Sequence, residues 1–204
     1  MLHNLIIFVK ILIMNNLLSF FVSLLIVSFC LTSCGKDDPE IPNEEELITT
    51  LNYVLTPTDG GAAITLTFQD LDGDGSMEPM VSEGMLTMGT TYSGRITLLN
   101  ETESPSENIT LEVAEENVDH QFFFQTDVPG LSVTYMDEDD DGNPLGLTTQ
   151  LTTGLAPSTD GQTGSLTITL VHEPEKDGDN VSGGDITNAG GEIDIAVTFP
   201  INVR

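Results

Sequence analysis

Two groups of acidic residues are the first places to look for chemistry. Asp70, Asp72 and Asp74 stand at alternate positions before Gly75, and Asp137, Asp139 and Asp141 repeat the pattern before Gly142. Three carboxylates spaced two apart and closed by a turn-forming glycine offer a hard oxygen half-shell. Calcium takes roughly six to eight such oxygens. In a full loop of this type an acid at the twelfth position closes the shell, but here those places hold Val81 and Thr148. No helical pattern follows either copy, so neither is an EF-hand. Glu78 or Glu83 would have to complete the first site, and the second would need a carboxylate from another loop. The competing expectation is a soluble turn built from Asp, Asn and Gly.

Two histidines form the next candidate. His3 sits in the apolar leader, which leaves His120 and His172. By strand parity His120 shares a face with Phe122 and Phe124, and His172 with Leu166, Ile168 and Leu170. Both fall at strand ends on faces assigned to the core. If those ends meet, the two imidazoles and one of Glu115, Glu116, Asp119 or Glu173 would suit zinc or copper. If they do not meet, each is a hydrogen-bonded histidine at the rim of the core.

Catalytic patterns are absent. The chain carries no G-x-S-x-G elbow, no H-E-x-x-H, no phosphate loop and no dinucleotide fingerprint. Its two cysteines are Cys30, inside the leader, and Cys34, so neither a disulfide nor a cysteine nucleophile is expected in the fold. With 33 acidic residues, a carboxylate pair at glycosidase spacing arises by chance. The chain has no Trp, and Tyr53, Tyr92 and Tyr135 all lie in or beside strands, which weakens a sugar-stacking platform. The expectation is a protein without catalytic activity.

The address is written at the N-terminus. Residues 1–33 contain no Asp or Glu, a single lysine at Lys10, and an apolar run from Leu17 to Leu31. That run ends in Leu31-Thr32-Ser33-Cys34, which resembles the lipobox of bacterial lipoproteins, where the cysteine becomes the lipidated N-terminus. An uncleaved anchor is the alternative, although Asn15 and Asn16 interrupt the stretch. Met14 is an alternative start that would remove Lys10. Residues 34–46 then read as a lipidated, acidic tether. Gly35-Lys36-Asp37-Asp38 is similar to the surface-export signal of Gram-negative lineages rich in surface lipoproteins, which implies display outside the outer membrane; the alternative is a plain acidic tether on a lipoprotein facing the periplasm.

Every acidic residue follows Cys34, against Lys36, Arg95, Lys176 and Arg204, and the whole chain carries a net charge of −28. Such a field attracts cations and repels phosphate backbones, so a nucleic-acid partner is excluded.

The remaining sequence, 47–204, reads as strand after strand. Leu47 to Thr56 alternates, and Pro57-Thr58-Asp59-Gly60-Gly61 turns it into a return strand with Ile64, Leu66 and Phe68 inward. Strands are expected at Met85–Met88, Gly94–Asn100, His120–Thr126, Leu131–Met136, Leu147–Thr153 and Thr163–His172. The last strand places Ile193, Ile195, Val197, Phe199, Ile201 and Val203 on one face. Between Asn100 and His120, the run Ser104-Pro105-Ser106-Glu107 reads as a capping box opening a helix over about 105–119, with Ile109, Val113 and Asn117 on one side, and a strand through Ile109, Leu111 and Val113 competes with it. Residues 173–191 form a glycine- and acid-rich loop.

The halves, about 47–103 and 120–204, are alike. Leu66-Thr67-Phe68 leads into the first acidic turn as Val133-Thr134-Tyr135 leads into the second, and Gly94-Arg95-Ile96-Thr97-Leu98 matches Gly164-Ser165-Leu166-Thr167-Ile168. About nine strands with alternating faces bury themselves most simply as an all-β, two-layer antiparallel sandwich of two similar halves with one short linking helix.

The lipobox and its acidic tail, Phe68-Gln69-Asp70-Leu71-Asp72-Gly73-Asp74-Gly75, His120-Gln121-Phe122-Phe123-Phe124, His172-Glu173-Pro174 and Ala189-Gly190-Gly191-Glu192-Ile193-Asp194-Ile195 together resemble a group of small Gram-negative envelope lipoproteins. Some carry the label of a type 1 periplasmic binding fold, an α/β architecture from which this strand-rich pattern departs. The resemblance implies a binding role, beside an outer-membrane receptor. Two expectations follow. The first is a lipid-anchored envelope interaction module whose acidic loops bind calcium. The alternative is a zinc- or copper-scavenging or delivery lipoprotein using His120 and His172.

Overall fold

The computed structural model describes residues 47–72, 77–102, 104–155 and 161–204. The leader, Cys34 and the tether therefore lie outside the described residues, as does Asp74. Among the described residues no helix is long and apolar enough to cross a membrane.

Alternation of apolar and polar residues produces ten strands among the described residues. They are β1 (Thr50–Pro57), β2 (Ile64–Gln69), β3 (Met80–Val81), β4 (Gly84–Leu86), β5 (Thr91–Leu99), β6 (His120–Thr126), β7 (Ser132–Tyr135), β8 (Thr148–Thr152), β9 (Gln162–His172) and β10 (Glu192–Val203), with the helix α1 (Ile109–Glu115) between β5 and β6. One sheet has six strands in the order β3-β2-β1-β5-β8-β7; the other has four, β4-β10-β9-β6. Pairing is antiparallel apart from β4 with β10, which run parallel over three residues. The protein is all-β.

The core lies between the inward faces. The six-stranded sheet contributes Leu51, Tyr53, Leu55, Leu66, Tyr92, Ile96, Leu98 and Leu151; the other contributes Phe122, Leu166, Ile168, Leu170, Val197, Phe199 and Ile201, all buried in one cluster. A second small cluster, Phe123, Val171, Val181 and Ala189, covers the back of the four-stranded sheet with the 173–191 loop. That explains why both Phe122 and Phe123 are buried although they point to opposite faces.

Two expectations need correcting. The helix does not begin at Ser104. It begins at Ile109, with Asn108 before it making no side-chain cap. Glu107, needed for the capping box, is instead held in an antiparallel bridge with Asn100. Backbone pairing across the chain reversal outcompetes the local cap. Ile109 and Val113 are buried as their spacing predicts. The second correction concerns Ile193, which is 61% exposed rather than inward. Val171 pairs with Ile193 but Leu170 pairs with Ile195, so Asp194 is an extra residue in a β-bulge. A bulge shifts strand parity by one place.

The matching segments Leu66–Phe68 and Val133–Tyr135 lie in β2 and β7 of the same six-stranded sheet. Each acidic segment joins antiparallel neighbours, β2 to β3 and β7 to β8, at opposite ends of the six-stranded sheet. The later matching segments part company: Gly94–Leu98 lies in β5 and Gly164–Ile168 in β9, in different sheets.

Candidate metal centre

The two histidine-bearing strand ends meet. In the β6–β9 ladder His120 lies directly opposite His172. Directly opposed residues on one face are near enough for side-chain contact, and here the rings stack with centroids 4.4 Å apart at 25°. His120 is fully buried and His172 is 4% exposed. They close the end of the core beyond Phe122 and Leu170, as parity requires.

Two carboxylates flank the stack. Glu116 leaves α1 immediately before a 3₁₀ turn, Asn117–Asp119, that delivers the chain into β6. One ligand atom each from Glu116, His120 and His172 lies within 4.8 Å of the others. The Glu116 carbonyl fixes this approach, lying 3.1 Å from His120 Nδ1 and accepting the Asp119 N–H. Asp194 arrives from the opposite strand. Its carboxylate is 3.7 Å from His120 Nε2 and 4.0 Å from His172 Nδ1, and its side chain is fully buried. The bulge is what turns it inward. Gly191, at φ +68°, permits the chain to pass His172 just before that bulge, since a Cβ there would sit 2.2 Å from the His172 carbonyl oxygen.

No protein-family model, curated protein or solved structure matches the chain.

The donor set can hold a borderline transition dication. Imidazole nitrogens with a carboxylate suit zinc and copper, whereas calcium prefers oxygen alone. Metal–ligand bonds of about 2.0–2.1 Å put tetrahedral ligands about 3.3–3.5 Å apart, so binding would draw these atoms together and turn the rings out of their stack. Two carboxylates also balance the charge of a dication in a buried place, where an uncompensated charge is costly.

The acidic loops are built differently. Asp137 accepts from Gly146 N–H at 2.7 Å with one oxygen and from Thr148 N–H at 2.6 Å with the other. Asp139 Oδ1 accepts from Asp141 and Asn143 N–H, and its Oδ2 takes the Lys176 ammonium at 2.7 Å. Asp141 is exposed. In the second loop the central cation is thus Lys176, itself only 7% exposed. Burial pushes the Asp139 carboxyl up, but the Lys176 ammonium and the two loop N–H groups pull it further down, leaving it below the usual carboxylate range. Gly142, at φ +86°, supplies the turn its spacing predicts. In the first loop Asp72 accepts from Met77 N–H at 3.1 Å, and the half-buried Asp70 donates its backbone N–H to Thr49. Millimolar calcium is accordingly expected to move the melting temperature by less than about 1 °C, since only a bound ion stabilises the fold; a rise of several degrees, reversed by chelator, would overturn this.

Sequence reasoning named His120 and His172 and included Glu116 among four candidate partners. It missed Asp194. An acid inside an apolar strand was a signal, because Asp is depleted in strands. Strict alternation, however, placed it outside between Ile193 and Ile195.

Proposed function

We propose that this protein is a non-catalytic, lipid-anchored module of the cell envelope that captures zinc or copper on His120, His172 and Glu116, with the Asp194 carboxylate adding negative charge beside both imidazoles. The observation that carries this reading is the convergence of one ligand atom each from Glu116, His120 and His172 within 4.8 Å of one another, with the buried Asp194 carboxylate beside both rings. Ligating histidines commonly rest their other ring nitrogen against a backbone carbonyl or a carboxylate; here the Glu116 carbonyl meets His120 Nδ1 and Asp194 lies beside His172 Nδ1, which leaves the Nε2 atoms for a metal. The two histidines lie on hydrogen-bonded neighbouring strands, so the sheet ladder brings both rings to one place.

Cys34 is the anchor in this reading, and the acidic tether holds the domain off the outer-membrane surface. The acidic field raises the local concentration of cations. A bound metal would be passed to an outer-membrane receptor.

The test is native mass spectrometry and competition titration of the detergent-solubilised chain with zinc and with copper. One equivalent is expected to bind, copper more tightly than zinc as ligand-field strength dictates, together with a rise in melting temperature. Absence of stoichiometric binding of either ion would end this reading.

A further inference from the structure

One buried cation lies beside the histidine pair without belonging to it. Lys176 Nζ donates to Asp139 Oδ2 and to the Asn117 carbonyl, both at 2.7 Å. Three chain segments meet at this ammonium. Asn117 is the residue after Glu116, Asp139 is in the β7–β8 hairpin, and Lys176 lies four residues beyond His172. The hairpin grips the same turn again, since Asp140 N–H donates to Asn117 Oδ1 at 2.8 Å. The loop after β9 does so too, through Glu173 N–H to the Asp119 carbonyl at 2.6 Å.

The three members of the centre are held very differently. His120 and His172 are fixed by the sheet ladder. Glu116 is exposed and lies on no strand, so its place depends on the turn that follows it. From this we infer that Lys176 is a positioning residue for the metal centre, acting by holding the Asn117 turn so that the Glu116 carboxylate faces the two imidazoles. The inference rests on the metal-binding reading and deepens it. A purely structural ion pair would serve the fold alone; the bond to the Asn117 carbonyl adds a direct tie to the neighbour of a ligand.

The experiment separates these roles by removing both buried charges together. A buried ion pair replaced as a whole is often tolerated, whereas removing one partner is not. Asp139→Asn/Lys176→Met should therefore fold, while lacking the Nζ bond to Asn117. Its zinc affinity is expected to fall about tenfold, in the range seen when groups supporting a ligand are lost. The visible spectrum of its cobalt complex should change. Glu116→Gln alone should cost a similar factor, and adding it to the double variant should cost little more. Native zinc affinity in the folded double variant, or losses that simply add, would overturn the role of Lys176 while the histidine reading stands. Failure of the unaltered chain to bind zinc and copper alike would instead remove the histidine reading and this inference with it. Should the double variant not fold, Lys176→Arg keeps the charge but redirects its donors through a planar head, and about a threefold loss is expected. Native affinity there would overturn the proposal equally.

Discussion

Replacing His120 and His172 together by alanine is expected to lower zinc affinity by more than about 100-fold. The change removes both nitrogen donors and leaves two carboxylates, a set better suited to hard cations and too few to hold zinc. Loss of a supporting group alone costs roughly 10- to 100-fold, so loss of two direct ligands sets the lower bound. The variant also deletes two stacked, buried rings at the end of the core, and large-to-small changes there leave cavities. His120→Gln/His172→Gln is therefore the companion variant, since it keeps more of the volume without offering imidazole. Competition titration against a chromophoric chelator, on protein shown to be folded by its melt, reads the result. Unchanged affinity in both pairs would place any metal elsewhere.

Lys176→Met should destabilise the fold by about 3–5 kcal/mol, the usual cost of stranding one member of a buried pair. Asp139 is 7% exposed and would keep its two N–H partners but lose its counter-charge. The effect has a pH signature. With the lysine present, the folded-state value of Asp139 lies below the ordinary carboxylate range. A carboxylate lowered on folding contributes stability that is fully present above its unfolded value, about 3.9, and is lost as pH falls through the folded one. The gap between the native chain and Lys176→Met, measured by denaturant melts, should thus be widest near neutrality and close below about pH 4. Asp139→Asn/Lys176→Met should recover most of the loss at pH 7. A gap that did not depend on pH would show that the lysine stabilises by packing rather than by charge.

Much of the fold is legible because its causes are local. The alternation Leu51, Tyr53, Leu55 and that of Val197, Phe199, Ile201 each reproduce one buried face, since side chains in a strand point alternately to opposite sides. His120 and His172 face the core for the same reason. Two sheets follow because ten short amphipathic strands must cover one another. Errors arose where a longer-range bond competed with a local signal. Ser104 to Glu107 has every residue of a capping box, yet Glu107 pairs with Asn100 across the reversal. Local spacing also gives no sign that Asp139 in the second acidic loop is met by Lys176, 37 residues away in sequence.

By itself, the sequence determined the all-β class, the strand faces away from the β10 bulge, and the identity of the two histidines, because period-two patterning acts between near neighbours. Only the tertiary structure decided that His120 lies opposite His172, because strand register is set by pairing between distant segments. It alone decided that Asp194 faces them, because a one-residue bulge reverses parity without leaving a mark in the alternation. It alone placed Lys176 against Asp139 and the turn beside Glu116, because charge partners are chosen by the fold and not by spacing along the chain.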